Sequence, residues 1–450
     1  MPSTPALAVP SPAQIRGAVR GTYIAFTGCG LAFASWASRI PQVRDHLHLS
    51  PARLGLVLLA IAAGSLIALP MAGPVIHRIG TRRTVAGMSV LLSAGLATVA
   101  VGYPSGPIPV VAGLFLLGFA TGAWDVAMNV HGALVERHLG RSIMSRFHAG
   151  YSLGTVAGAL IGAGMVALHV PVTAHLLLAA AAVAVAVPWG TRGFVSDRSP
   201  VEEPSDVPSG APSGEPAPAA RSALAAWREP RTLLIGVFVL AFAFAEGTGN
   251  DWIGIATIDG YGTSALVGTL AFAAFLSTMT LGRWFGPTLL DRHGRVPVIR
   301  VLAVLGIAGT VLFVFAPATP LAFVGAVLWG LGVSLGFPVG MSAGADEPQY
   351  AAGRVSVIAS IGYCAFLAGP PSIGLLADHI TILRALTSVA VLLGIAAAIT
   401  AAVTPPQGVV ASSPAQPGQP EQVAQPGQPE QVAQPGQPGQ VADSDSAAAS

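Results

Sequence analysis

Asp125 and Asn129 stand one helical turn apart inside GLFLLGFATGAWDVAMNVHGALV (residues 113–135), a run that is otherwise apolar. A carboxylate at the centre of a membrane helix costs about 2.5–3.5 kcal/mol on insertion scales. Binding a proton removes that cost, so an acid in this position is suited to taking and releasing protons as its surroundings change. Glu246, in FAFAEGTGNDW, is the second acid inside an apolar run, and Asp251 stands at the outer end of the same run. The competing use of Asp125 is structural, as a hydrogen-bond partner tying its helix to a neighbour; for Glu246 the two uses stand nearly level.

Helical spacing groups further polar residues with these acids. Gly118, Gly122, Asp125, Asn129 and Gly132 recur at intervals of three and four and share one helical face. Glu246, Gly249 and Asn250 do the same, as do Ser356, Ser360 and Tyr363, and, in RFHAGYSLGTVAGALIGAG, His148, Ser152 and Thr155. A polar stripe on a membrane helix belongs on the bundle interior or a water-filled cleft. Gly150, Gly154, Gly158 and Gly162 form a ladder whose expected use is helix packing. Trp36 and Trp252 offer stacking surfaces for a sugar-like or aromatic ligand, or interfacial anchors. The histidines lack metal-ligand spacing, and there is no Walker-type phosphate loop. Neither a metal, a cofactor nor an enzymatic activity is expected.

These residues need a membrane scaffold, and the composition supplies one. Of 450 residues, 53% are hydrophobic and only 9% charged, with mean hydropathy +0.67; soluble domains run near 25% charged. The net charge of +2 gives no argument for nucleic acid. Cys29 and Cys364 fall in apolar runs and read as small core residues. About 20 apolar residues cross the hydrocarbon, and breaks at Arg, Pro and polar clusters leave twelve such runs. Six lie near 20–38, 52–76, 84–103, 107–133, 147–168 and 172–189; six more near 232–250, 264–285, 297–316, 319–342, 354–376 and 381–403. All 22 basic residues are arginine, and with a cytoplasmic N-terminus only Arg39, Arg44, Arg53 and Arg384 fall outside, leaving 22 − 4 = 18 inside. Both termini are therefore expected in the cytoplasm. Residues 1–19 read as a disordered N-terminus, 20–189 and 232–403 as six-helix bundles, and 190–231 as a Pro/Ser/Glu-rich linker. Residues 404–450 read as a disordered tail carrying AQPGQPEQV-type repeats.

The halves resemble each other. GPVIHRIGTRR (73–83) and GPTLLDRHGRVPVIR (286–300) occupy the same loop of each half. The twelve runs, the long middle loop and this doubled motif resemble the major facilitator superfamily. That resemblance implies an all-α membrane protein of twelve helices in two pseudo-symmetric bundles, working by alternating access. It assigns gating roles to Arg78, Gly80, Arg82 and Arg83, and to Asp291, Arg292, Gly294 and Arg295. His77 stands where the family has Asp. Within the superfamily the chain is similar to the fucose permease branch, whose fourth helix bears an acid followed four residues later by Asn, as do Asp125 and Asn129. The branch's seventh-helix acid matches Glu246, and its fifth-helix SLG matches Ser152–Gly154. The resemblance gives Asp125 the coupling proton, with Glu246 as the second candidate; the polar faces themselves point to a midplane cavity for a small polar solute, lined by Trp36, Asn129, His148, Ser152, Asn250, Ser360 and Tyr363. The permease's first-helix Asp is absent here; Ser35, Trp36 and Ser38 stand in that neighbourhood. The other readings are a proton-driven efflux antiporter for hydrophobic compounds and a non-transporting receptor or scaffold. The expected setting is the cell membrane, with the chain acting as a monomer.

Overall fold

The structure, a computed structural model, describes residues 10–140, 143–197 and 225–406. The first half holds α1 (Pro12–Ala37), the short α2 (Ile40–His46), α3 (Pro51–Gly102), α4 (Pro107–Leu139), α5 (Met144–Ala167) and α6 (Val172–Gly190). The second holds α7 (Pro230–Tyr261), α8 (Ala265–His293), α9 (Arg295–Phe315), α10 (Thr319–Val333), α11 (Gly336–Gly344), α12 (Pro348–His379), α13 (Ile382–Ala385) and α14 (Thr387–Ala398). Among the described residues, nine helical stretches are long and apolar enough to cross a membrane. One of them contains the 52-residue α3, ~78 Å at 1.5 Å per residue and enough for two crossings. The two arms of α3, α1, and the α13–α14 pair bring the crossings to the expected twelve.

The break in α3 is at Gly80, with φ 82° and ψ 161°; Gly294, between α8 and α9, has φ 81° and ψ 163°. This region of backbone space is nearly closed to residues with a Cβ. The two glycines are equivalent members of the doubled loop motif, so the sequence repeat is also a backbone repeat. A second repeat lies in the packing. A Cβ added to Gly95 would stand 2.7 Å from the Gly113 carbonyl, joining the second arm of α3 to α4, and one added to Gly325 would stand 2.8 Å from the Gly309 carbonyl, joining α9 to α10. Apolar side chains have no water to escape inside a bilayer, so close backbone approach through small residues holds such helices together.

Several boundaries differ from expectation. Helix α1 starts at Pro12, where the Ser11 hydroxyl and the Gln14 side chain form a capping box, so residues 12–19 are helical. Helix α7 runs to Tyr261, about three turns past the expected end of its span. The first half extends beyond 189: Phe194 and Val195 are buried, and Asp197 accepts from the Thr81 backbone N–H at 2.5 Å and the Thr81 hydroxyl at 2.6 Å. Asp197 thereby caps the second arm of α3, where negative charge is favoured. The remainder of the linker, residues 198–224, and nearly all of the tail, from 407 onward, lie outside the described residues.

On the membrane face where α1 begins, the terminal face, Arg354 forks onto Glu229 at 2.7 and 2.6 Å and reaches Glu347 at 3.0 Å. This arginine holds the Glu229 carboxyl below the usual carboxylate range. The fork's contribution is complete above the unfolded value, near pH 4.3, and is lost as pH falls through the lower folded value. Glu229→Gln is expected to lower the melting temperature at neutral pH, where the fork contributes fully, and to flatten the acid limb below about pH 4.5, so that variant and wild type converge in acid. Gly294→Ala is expected to lower stability by about 1–3 kcal/mol. Gly118→Ala, whose Cβ would lie 1.9 Å from the Ile61 carbonyl, is expected to lower the melting temperature by separating α4 from the first arm of α3.

Candidate functional site

Helix α4 carries Asp125 and Asn129 near its middle, both half-buried. The Asn129 amide donates to the Asp125 backbone carbonyl at 2.8 Å and to its carboxylate at 3.2 Å. The carboxylate has no arginine or histidine within ion-pair distance among the described residues, so a weak amide bond is its only side-chain compensation. It lies within electrostatic range of Cys29 on α1, Tyr151 on α5 and Tyr363 on α12. Its electrostatic neighbours therefore come from three helices and both halves. The glycines of the same stripe do other work: Gly118 and Gly122 seat against Ile61 and Ser65 of α3, and Gly132 against Met144 and Phe147.

Glu246 on α7 differs from Asp125 in having a cation. Arg283 of α8 donates to its carboxylate at 2.7 Å and to the Ser334 carbonyl at 3.2 Å. The pair keeps partial exposure, 17% for the Glu246 side chain and 28% for Arg283. His148, exposed at the start of α5, is within electrostatic range of Arg283 and stands edge-on to Phe26 at 5.1 Å. Tyr151, three residues on, is in range of Asp125, Glu246 and Arg283 together. The arrangement is a ring of one unpaired acid, one ion pair, an imidazole and two phenols. It brings together hydrogen-bond donors, acceptors and one carboxylate that has no cation among the described residues.

Other expected members are placed differently. Ser360 is exposed on α12 and bonds to the Ser356 carbonyl at 2.8 Å, on the same helix as Tyr363. Ser152 is 5% exposed, packed within the first half. Asn250 lines a separate small cavity with Ser38 and Asp251, between α1, α7 and α8, because α7 continues past it. Trp36 and Trp252 are 1% and 0% exposed. They are neither interfacial anchors nor open stacking surfaces. Arg283 and Tyr151 were not singled out from sequence. Arg283 had a signal, since it interrupts the apolar run STMTLGRWFG well before that helix ends.

The gating loops lie on the terminal face. His77, Arg78, Arg82, Arg83, Asp291 and Arg292 are exposed and make no ion pair with described residues. Only Arg295 of the motif is engaged, with Asp346 at 2.6 Å; Asp346 also takes Arg231 at 2.9 Å. These contacts stay within the second half. All the polar side-chain contacts between halves among the described residues lie on the opposite face. Arg44 forks onto Asp259, at 2.9 Å for its second contact, and the Ser50 hydroxyl and Ala52 N–H donate to Asp378 at 3.1 and 3.2 Å. There Gly55 meets Pro370, and Gly374 meets Pro51. The halves are latched on that face and unlatched on the terminal one.

Comparison with known proteins agrees with this architecture. Residues 22–370 match the family model described as Major Facilitator Superfamily. The chain is 30% identical over 363 residues to an uncharacterized transporter, y4wD, of Sinorhizobium fredii, covering 80% of this chain and 92% of that one. It is 28% identical to membrane protein MosC of Rhizobium meliloti, covering 79% and 83%. Among solved structures, nucleoside transporter NupG aligns with TM-score 0.65 at 15% identity, covering 86% of this chain and 98% of that one. The E. coli fucose:proton symporter FucP aligns with TM-score 0.59 at 15% identity, covering 87% and 99%. With twelve crossings, a doubled loop motif and a family match over most of its length, this chain belongs to the major facilitator superfamily of membrane transporters.

Proposed function

We propose that the protein is a proton-coupled secondary transporter of a small polar, sugar-like solute, with Asp125 as the proton carrier. The observation that carries this reading is the contrast between the two central acids: Glu246 is neutralised by Arg283, whereas Asp125 has only an amide. An uncompensated carboxylate tolerates a hydrated cleft but opposes closure into a dry one. A proton removes that opposition, so closing around solute and carrying a proton become one event. The titles of two structural neighbours, a fucose:proton symporter and a nucleoside transporter, favour a hydroxyl-rich substrate class. Glu246 and Arg283 are then solute-binding groups held ready by each other.

The arginine asymmetry supports a cell-membrane setting with both termini in the cytoplasm. In that orientation the latched face is external and the structure is inward-facing. The two bundles, 20–189 and 232–403 in outline, rock about the central ring, with one chain sufficient for transport. His148, Asn129 and Tyr363 complete the solute surface.

The test is uptake into proteoliposomes under an imposed pH gradient, screened with hexoses, 6-deoxyhexoses and nucleosides. Asp125→Asn is expected to abolish gradient-driven accumulation while sparing solute exchange at equal pH. Unimpaired accumulation by that variant would remove Asp125 from coupling, and solute-dependent proton movement of the opposite sign would make the protein an exporter. For the ion pair, a cycle of Glu246→Gln, Arg283→Gln and the double variant is expected to show coupling of about 1–3 kcal/mol in unfolding. The double variant should be more stable than either single one, because each single change strands a charge.

A further inference from the structure

On the latched face, where the end of α1 meets α7 and α8, the structure encloses a cavity of about 10 Å³, lined by Ser38, Pro41, Asn250, Asp251, Gly254 and Thr269 among others. That is room for one water-sized occupant. Apart from the Asn250 NH2, the polar groups around it are left as acceptors. The Ser38 hydroxyl, 2% exposed and packed against Gly162 of α5 at the edge of the cavity, gives its proton to the Ser35 carbonyl at 2.9 Å. The Thr269 hydroxyl, 1% exposed, gives its proton to the Ala265 carbonyl at 2.8 Å. Each is left with lone pairs only. Asn250 Oδ1 is sealed from solvent and receives no donor. The Asp251 carboxylate has neither a hydrogen bond nor a charge partner among the described residues.

The arginines of the adjoining connection are committed elsewhere. Arg39 donates to His175 Nδ1 at 2.9 Å and the Val170 carbonyl at 3.1 Å, and Arg44 to Asp45 and Asp259. A water molecule would fill the space but leave a carboxylate uncompensated in the seam. A proton would neutralise Asp251 but leave the space and the hydroxyl lone pairs unused. A small monovalent cation does both. Oxygen-only ligands suit a hard ion, a single carboxylate matches a single positive charge, and the cavity is of one-ion size.

We propose that this pocket binds a sodium ion, held by Asp251, Asn250 and Thr269 of the second half and Ser38 of the first. The ion ties the halves together beside the Arg44–Asp259 latch. Parting the halves on this face separates Ser38 from the other three ligands, so sodium favours the conformation seen here. The site is distinct from Asp125 and its occupancy does not depend on the proton carrier.

The experiment is thermal unfolding of the full chain in detergent without solute, with sodium chloride replaced by choline or potassium chloride at constant ionic strength. Wild type is expected to show a saturable rise in melting temperature with sodium, smaller with potassium and none with choline. Asp251→Asn should lose that rise, Thr269→Val should need several-fold more sodium, and Asp125→Asn should retain it. A wild type without a sodium-specific rise, or a rise undiminished in Asp251→Asn, overturns the site. So does a response to pH alone, which assigns a proton to Asp251, and so does loss of the rise in Asp125→Asn, which moves the ion to the central ring. If Asp251→Asn does not fold, the Thr269→Val titration, read also by sodium NMR line width, decides on the same terms.

Discussion

Charge without a partner is the costliest thing a membrane protein can hold, and the placement of three acids in this chain is best understood through it. Glu246 has an arginine at 2.7 Å. Asp251 faces a one-ion cavity of spare acceptors. Asp125 has an amide and the electrostatic neighbourhood of both halves. On the proposed reading each acid is answered differently: Glu246 by a fixed cation, Asp251 by a diffusible one and Asp125 by a proton. The difference between the first and the last separates a residue that holds solute from one that links its passage to a gradient.

The packing makes that difference mechanically useful. Within each half the helices meet backbone to backbone through glycine. The ladder on α5 seats against α1, where a Cβ on Gly154 would come within 2.2 Å of the Thr27 carbonyl. Such contacts resist sliding, so each half moves as a body. Between the halves the pairings are α3 with α12 and α5 with α8, and their polar side-chain contacts are confined to one face. Charge state at the central ring can then bias a choice between two seams without rearranging either bundle.

Much of this was legible in the sequence, and the failures have physical causes. Hydropathy located the crossings because hydrocarbon tolerates little else, and the repeated RxG located the two backbone breaks at Gly80 and Gly294. The end of α7 was misread because Asn250 and Asp251 look like an exit to water; they face an internal seam instead, where polarity is hidden. Arg283 was counted only among the inner-side arginines, and its pairing across α7 and α8 shows its other use. Asp197 follows the last apolar run of its half, and no local pattern announces that it folds back to cap Thr81. The Trp36 and Trp252 rings were read as surface features by type, but burial depends on the size of neighbours on other helices.

The central claim is that Asp125 is charged and discharged under working conditions. Difference infrared spectroscopy of the purified protein in lipid, titrated across neutral pH with and without Asp125→Asn, observes this directly through the carboxylic-acid carbonyl stretch. The account predicts a band that appears as pH falls through the neutral range, changes when transported solute is added, and is missing from Asp125→Asn. A wild-type protein whose only titrating carboxyl bands survive in Asp125→Asn would contradict it.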